Sequence, residues 1–204
     1  LIGAHSTVED STIIISLQAS DVDIVTNDQS LTFSAISFDS SLVIPSTTST
    51  GDSTSTLTLM VLSNQNGTAQ ITVLVDDSTG GTDNETFTFT VTAVDDAPLV
   101  SNALSDIVVD EDANDSTIVL TGVFSDVDNN DFAISKSVQL NTNTSLVTAS
   151  IVGDTLTLDF INNQNGSATI TIRGTSNGLT VDDEFDLTVN PVNDVPVLTL
   201  IGAQ

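Results

Sequence analysis

The feature that most constrains this chain is an internal repeat with a period of about one hundred residues. The stretch Ala93–Pro98, which reads AVDDAP, returns as Pro191–Pro196, which reads PVNDVP. The four residues Asn64–Gly67 recur unchanged as Asn163–Gly166. A pattern of this length that occurs twice in 204 residues predicts two similar domains rather than one large fold.

Each AVDDAP-like stretch follows an alternating apolar run and ends in proline. Proline fixes its own φ and favours extended geometry in the residue before it, so the chain should pass straight from one domain into the next. We therefore predict one domain at residues 1–97 and a second at residues 98–199. Residues 200–204 repeat the opening Leu-Ile-Gly-Ala, and we expect them to begin a further repeat of a longer array.

Apolar residues alternate with Thr and Ser in both copies, which is the period of half-buried β-strands. We expect Asn-Gln-Asn-Gly to form a hairpin turn in each copy, because Asn and Gly tolerate positive φ. About six or seven short strands per hundred residues predict an all-β fold of two tandem Greek-key β-sandwiches. Inward-facing sets include Leu57, Leu59, Val61, Phe87, Phe89 and Val91, matched in the second copy by Leu156, Leu158, Phe160, Phe185, Leu187 and Val189.

The charge balance narrows the choice of function. Lys136 and Arg173, which we expect in local salt bridges, are the two basic residues against 28 acidic ones, for a formal charge of −26. Such a chain repels nucleic acid and anionic membrane surfaces, and no apolar run is long enough to span a bilayer. Because there is no cysteine, small secreted domains of this kind would need rigidity from another source, and divalent cations are the natural counter-charge.

If the strands alternate in direction along the chain, acidic residues from three segments should meet where the domains join. A first-turn pair and a pair after the last strand lie at one end of the first domain, and an Asp-x-Asp loop lies at the facing end of the second. Carboxylates gathered in this way repel one another unless a cation compensates them. Calcium accepts about six to eight oxygen ligands with flexible geometry, so we predict a Ca²⁺ site. Its candidate ligands are Glu9, Asp10, Asp95, Asp96, Asp126 and Asp128.

Each acidic motif also has a simpler interpretation. Asp-x-Asp in a β-turn usually satisfies its own backbone as an Asx-turn. The acidic joints could be stiff linkers without a metal, and Glu9 and Glu111 could be edge-strand charges that prevent sheet-to-sheet aggregation. Because the motifs recur at the same phase of the repeat, we favour metal binding.

The order of these motifs resembles that of cadherin-like repeats, particularly the tandem modules of large bacterial surface adhesins. The motifs are Glu9-Asp10, then Asp21-Val22-Asp23, then an acidic pair before x-Pro at each joint. The resemblance covers both copies and implies that calcium binds between successive domains. Three departures exist. The first joint has Asp95 where the second has Asn193, the Asp-Arg-Glu motif of cadherins is absent, and Asp76-Asp77 aligns with Thr175-Ser176, which argues against a calcium role for that loop in the second copy.

An enzyme is the poorer hypothesis for this composition. With no cysteine, one histidine and one lysine, the chain cannot readily assemble a nucleophile–base pair or a Schiff base. We expect calcium-binding extender repeats of a large secreted or cell-surface protein, located outside the cell, with neighbouring repeats as partners and calcium stiffening the joints. The alternative is a calcium-dependent, lectin-like module that binds cell-surface glycans or proteins, although Trp and Tyr, the usual sugar platforms, are absent.

Overall fold

The computed structural model describes residues 1–24 and 29–198, and the chain divides into two compact units. Unit 1 comprises Leu1–Val94 and unit 2 comprises Asp95–Gln204. The segment 200–204, predicted to begin a further repeat, lies outside the described residues. In the described ranges, no helix is long and apolar enough to cross a membrane.

Unit 1 is built from two sheets. Its strands are β1 (His5–Val8), β2 (Thr12–Gln18), β3 (Thr32–Ser37), β4 (Val43–Gly51), β5 (Thr54–Val61), β6 (Gly67–Asp76) and β7 (Thr82–Thr92). One sheet has the order β1-β7-β6-β3 and the other has the order β2-β5-β4. The pair β1–β7 is parallel and the other pairs are antiparallel, which is the pattern that strands of alternating direction produce.

Unit 2 repeats these two sheets and adds a short strand pair. Its strands are β8 (Leu99–Val100), β9 (Ile107–Asp110), β10 (Ser116–Val119), β11 (Phe124–Ser125), β12 (Ser135–Asn141), β13 (Val147–Val152), β14 (Thr155–Phe160), β15 (Gly166–Ser176) and β16 (Leu179–Asn190). The larger sheets have the orders β12-β15-β16-β9 and β10-β14-β13, and β8 pairs with β11. A 3-10 turn at Asp131–Ala133 precedes β12.

Each unit has its own apolar core, to which both of its main sheets contribute. In unit 1, Leu57 and Leu59 of β5 face Ile71 of β6 and Phe89 of β7, and all four are fully buried. Burying a side chain of this kind contributes about 1.5–3 kcal/mol, so the predicted inward sets account for much of the stability. The prediction of an all-β sandwich architecture is confirmed.

The predicted hairpin at Asn64–Gly67 is wrong. The segment connects β5, which pairs with β2 and β4, to β6, which pairs with β3 and β7 in the other sheet. Asn64 and Gly67 have positive φ (56° and 140°), and this conformation lets the chain pass from one sheet to the other. It does not form a hairpin between neighbouring strands of one sheet. The repeated segment Asn163–Gly166 makes the same crossing, from β14 to β15.

A two-residue Asn-Gly hairpin does occur, at Asn177-Gly178 between β15 and β16. Both residues have positive φ, 45° and 90°, as a turn matched to the twist of the strands requires. The Asn-Gly dipeptide therefore does form a hairpin in this protein. The dipeptide that does so, Asn177-Gly178, has no counterpart in the first repeat.

Both basic side chains form the predicted local ion pairs. Lys136 Nζ lies 2.6 Å from Asp154 Oδ1, and the lysine side chain is 4% exposed. Arg173 binds Asp182 through Nε to Oδ1 (2.7 Å) and Nη2 to Oδ2 (2.8 Å). The hydrogen bonds of this forked pair raise the pKa of Arg173 and lower the pKa of Asp182.

The two units fill the end of the sandwich near the Asp-x-Asp loop with different side chains. In unit 1, Ala19 precedes Ser-Asp-Val-Asp, and in unit 2 Phe124 precedes the same four residues. Phe124 is 1% exposed, and its ring lies over Gly174, where an added Cβ would come within 2.8 Å of the ring. The position of Gly174 in β15 is occupied by Val75 in β6.

Candidate functional site

In unit 1, the turn after β1 is held to the end of β7 by Glu9. The N–H of Glu9 donates to the carbonyl oxygen of Thr92 (3.0 Å), and the N–H of Val94 donates to Glu9 Oε1 (2.5 Å). Glu9 is 3% exposed, and its second oxygen, Oε2, has no hydrogen-bond partner in the described chain. Glu9 is therefore not a solvent-exposed edge charge. It is a buried carboxylate at the exit of the last strand of unit 1.

Asp10 fixes the loop between β5 and β6 to the same turn. Its φ is 58°, a left-handed conformation that Asp tolerates better than most residues. Its Oδ1 accepts a hydrogen bond from the N–H of Asn64 (3.0 Å). Glu9 and Asp10 thus lie at one end of unit 1 together with the Asn64–Gly67 loop and the end of β7.

Unit 2 repeats this arrangement. The N–H of Val192 donates to Glu111 Oε1 (2.5 Å), and the N–H of Asn163 donates to Asp112 Oδ1 (2.8 Å). Asp112 has a φ of 60°. The repeated contacts show that Glu-Asp defines a particular turn, in which glutamate holds the strand exit and aspartate holds the crossing loop.

The other predicted ligands lie in unit 2, where the loop after β11 contacts the first residues of the unit. Asp126 Oδ1 accepts from the N–H groups of Asp128 and Asn129 (both 2.9 Å), as in an Asx-turn. The side chain of Asn129 donates to Asp95 Oδ1 (2.7 Å), and the N–H of Asp96 donates to Asp128 Oδ2 (2.8 Å). These hydrogen bonds place four of the six predicted residues in one loop region: Asp95, Asp96, Asp126 and Asp128. Their carboxylates are not gathered closely enough to hold an ion.

The pKa of the Asp126 carboxyl group is lowered by its surroundings, which favours the ionised form. Burial pushes the pKa of Asp126 up, but the nearby Ser176 hydroxyl, the N–H groups of Asp128 and Asn129 and the Asn129 side chain outweigh it, and the net pKa is lowered. Its second oxygen, Oδ2, is buried without a hydrogen bond in the described chain. An ionised carboxylate with one buried oxygen is the kind of ligand that a hard cation prefers.

Two further residues that contact or lie near Asp126 were missed by the sequence analysis. Asp131 accepts from the N–H of Asp126 (2.8 Å), and Ser176, at the end of β15, is buried. The acidic run Asp126–Asp131 could have indicated that Asp131 belongs to this group. No local pattern indicated the second, because it arrives from a strand about fifty residues further along the chain.

At the corresponding end of unit 1, the loops are ordinary Asx-turns. The N–H of Asp23 donates to Asp21 Oδ1 (2.8 Å), and Asp77 Oδ1 accepts from the N–H groups of Thr79 and Gly81 (both 2.8 Å). These backbone hydrogen bonds lower the pKa of Asp77. Across the described residues, no three His, Asp or Glu side chains are grouped closely enough to hold a metal ion.

No family model matches this chain, and no curated protein is similar to it. Solved structures that resemble it include the extracellular cadherin domains 1–4 of protocadherin gamma B7 (16% identity, TM-score 0.45, covering 95% of this chain and 50% of that one). Human protocadherin-24 domains EC1-2 also match (14% identity, TM-score 0.43, covering 84% and 85%).

An endo-fucoidan hydrolase of glycoside hydrolase family 107 matches as well, at 17% identity and a TM-score of 0.39. The match covers 94% of this chain but 28% of the hydrolase, so this chain spans less than a third of that protein. Tandem titin domains z1z2 from a complex with telethonin are similar at 14% identity and a TM-score of 0.36, covering 94% of each chain.

Proposed function

We propose that this chain consists of calcium-binding extender modules of a large extracellular or cell-surface adhesion protein. The observation that carries the proposal is the state of Glu9, a carboxylate that is 3% exposed with one oxygen unpartnered. A buried carboxylate without compensation is costly, and a bound cation would remove that cost. The β-sandwich supplies a compact spacer, and the formal charge of −26 favours cations as ligands.

The residues of both units fit calcium in their chemistry. Glu9 and Asp10 in unit 1, with Asp95, Asp96, Asp126 and Asp128 in unit 2, offer oxygen ligands, which calcium prefers. Two of these residues, Glu9 and Asp126, each have a buried oxygen that makes no hydrogen bond within the described ranges. Bound calcium would supply positive charge to the carboxylates of each unit, and neighbouring repeats of the same protein are the proposed partners.

Calcium titration of the purified protein by isothermal calorimetry tests the proposal. We expect binding in the range of extracellular modules, about 10⁻⁴ to 10⁻³ M. Glu9→Gln should lose binding, and Asp126→Asn with Asp128→Asn should do the same while both variants stay folded. The matched control removes two charges elsewhere, with Asp52→Asn and Asp159→Asn, whose side chains are exposed. Equal loss in the control would show only general counter-ion attraction, and no binding by wild type would refute the proposal.

The role of Glu9 has a second readout that does not need the metal. In chelator, Glu9→Gln keeps an acceptor for the N–H of Val94 but removes a buried negative charge. We therefore expect this variant to be at least as stable as wild type without calcium and less stable than wild type with it, because only wild type gains from binding. Small-angle scattering should in addition give a narrower spread of molecular dimensions in calcium than in chelator.

A further inference from the structure

The strand β2 of unit 1 lies at the edge of its sheet and pairs on one side with β5; no second strand pairs with it among the described residues. The N–H of Val61 donates to the carbonyl oxygen of Ser11 (3.3 Å), so the odd-numbered residues of β2 are the ones that bond to β5. Backbone bonding alternates along an antiparallel pair. The N–H and C=O groups of Thr12, Ile14 and Ser16 therefore point to the free side of the strand.

The other edge strands in the described part of unit 1 each carry a feature that hinders pairing. β4 contains Pro45, which has no N–H to donate. On β3, the carbonyl oxygen of Phe33 accepts from the Thr47 hydroxyl (2.7 Å). β1 is four residues long and is followed by Glu9. β2 has seven residues with no proline, bulge or charge, so it lacks the devices that keep sheet edges from pairing.

The free side of β2 does not depend on what pairs beyond its C-terminal end. In unit 2, β8 pairs with β11, and within the described ranges β14 is the one strand that pairs with β10. β11 (Phe124–Ser125) corresponds to Ala19-Ser20, because both dipeptides precede Asp-Val-Asp. A strand in the position of β8 would therefore pair beyond Gln18 and leave the free side at Thr12–Ser16 uncovered.

The side chains beside this free edge are apolar or uncharged. Ile14 is 70% exposed although it lies in the middle of β2. On the outer face of the sheet its neighbour across the strand pair is Thr58, and Met60 lies one step further along β5 with Ile44 opposite it. Met60 and Ile44 are also exposed. An apolar patch beside an unpaired, uncharged strand is a surface to which another strand can add.

We propose that β2 pairs antiparallel with β2 of a second copy of this protein about a twofold axis, which joins two three-stranded sheets into one sheet of six strands. The axis passes between the two copies of Ile14, so that each lies opposite the other and Thr12 lies opposite Ser16. Each of these facing pairs exchanges two backbone hydrogen bonds, through the groups that β5 leaves free. The contact uses the same surface on both copies, so it closes as a dimer.

This register suits the side chains on both faces of the strand. The two Ile14 side chains cover each other on the outer face, as cross-strand pairs do. On the inner face Ile13 lies opposite Ile15, and these partly buried residues at the margin of the core lose contact with water. Asp10 faces Gln18 rather than another carboxylate. A shift of one residue would set the free backbone groups opposite groups that already bond to β5.

Charge favours a second copy at this edge and excludes the equivalent edge of unit 2. Two chains with a formal charge of −26 repel each other across most of their surfaces, so an uncharged strand is where they approach at least cost. β10 has four residues, and its register against β14 puts Asp115 at the position of Thr12. A charge at that position hinders edge pairing. Since salt screens the remaining repulsion, the dimer should be tighter in about 0.5 M NaCl than at low salt.

Sedimentation equilibrium of the 204-residue protein in chelator tests the proposal. A contact of one strand from each copy is small, so we expect a dissociation constant of about 10⁻⁴ to 10⁻³ M. Ile14→Asp, and Thr12→Asp, which copies unit 2, should each raise this constant about tenfold or more. Val152→Asp is the matched control: Val152 is 82% exposed at the end of an edge strand of unit 2, and its variant should dimerise like wild type.

Hydrogen exchange of the wild-type amides identifies the strand and needs no variant. In the monomer the amides of Thr12, Ile14 and Ser16 are free, whereas those of Ile13 and Ile15 bond to β5. At the concentration where half of the protein is dimeric, exchange of the first three should slow to about half its rate, with the other two unchanged. A protein that stays monomeric at about ten times the expected constant, dimers that persist in Ile14→Asp, or slowing at other strands instead would overturn the proposal.

Discussion

The two units fill a pair of equivalent positions near the Asp-x-Asp loop with side chains of different size. Unit 1 places Ala19 on the β2 side and Val75 on β6, whereas unit 2 places Phe124 on the β11 side and Gly174 on β15. A larger side chain cannot replace Gly174 without a change at position 124, because a Cβ at Gly174 would meet the Phe124 ring at 2.8 Å. Apolar cores tolerate such exchanges when the volume and the pattern are kept.

The Glu-Asp turn at the other end of each unit did not diverge in this way. The bonds from Val94 to Glu9 and from Val192 to Glu111 are both 2.5 Å long, and φ is 58° at Asp10 and 60° at Asp112. Buried backbone N–H groups need a partner in a defined direction, so few side chains can replace these two. Apolar volume can be redistributed between neighbours, but a directed hydrogen bond cannot.

The largest effect should come from removing the ring that unit 2 adds. Phe124→Ala deletes a fully buried side chain and should cost about 3–5 kcal/mol of unfolding free energy in unit 2. Hydrogen exchange of the β15 amides measures it, with the β6 amides reporting on unit 1. Phe132→Ala is the matched control, because Phe132 is 81% exposed, and it should change little. Similar losses for both variants would contradict the packing role of Phe124.

Two substitutions in unit 2 would introduce the side chains of unit 1 one at a time. Gly174→Val places a side chain against the Phe124 ring and should cost about 1–3 kcal/mol through overpacking. Adding Phe124→Ala restores the combination found in unit 1, so the double variant should lose less stability than the sum of the two single variants. Additive losses in denaturant unfolding would mean that the two positions are not coupled.

Because the Glu-Asp turn is repeated in both units, equivalent substitutions in it should lower the stability of each unit equally. Asp10→Ala and Asp112→Ala each remove the acceptor for one loop N–H and place Ala at positive φ. Each should cost about 1–2 kcal/mol in its own unit. Asp10→Asn and Asp112→Asn keep an acceptor and a residue that tolerates this φ, so they should lose much less. Losses that differ strongly between the units would refute the view that the turn is one repeated device.

The smallest effect concerns the ion pair of unit 2, whose position in unit 1 is occupied by Leu74 and Asn84. Arg173→Gln should lower the stability of unit 2 only slightly at neutral pH, because both side chains are partly exposed and water screens the pair. Since folding lowers the pKa of Asp182, the stabilisation is complete above the unfolded value of about 3.9 and disappears as the pH falls through the folded pKa. Wild type and variant should converge in acid, and a gap that persists there would exclude the ion pair as its cause.

The strand pattern and most of the core could be predicted because alternation with Thr and Ser is a local signal. The crossing at Asn64–Gly67 could not, because the same positive-φ residues serve a hairpin and a connection between sheets. Phe124 and Gly174 are informative only as a pair that is distant in sequence. The burial of Glu9 was likewise hidden, since it depends on where β7 ends rather than on its neighbours.

The placement of the two basic side chains has a consequence for proteolysis. Loops are the segments that proteases usually cut, because they fit an active site without unfolding. A protease that cleaves after lysine or arginine finds its two target bonds in β12 and β15, and each target side chain is ion-paired with an aspartate. Digestion by such an enzyme therefore has to wait for unit 2 to open, and unit 1 offers it no target residue in the sequence at all.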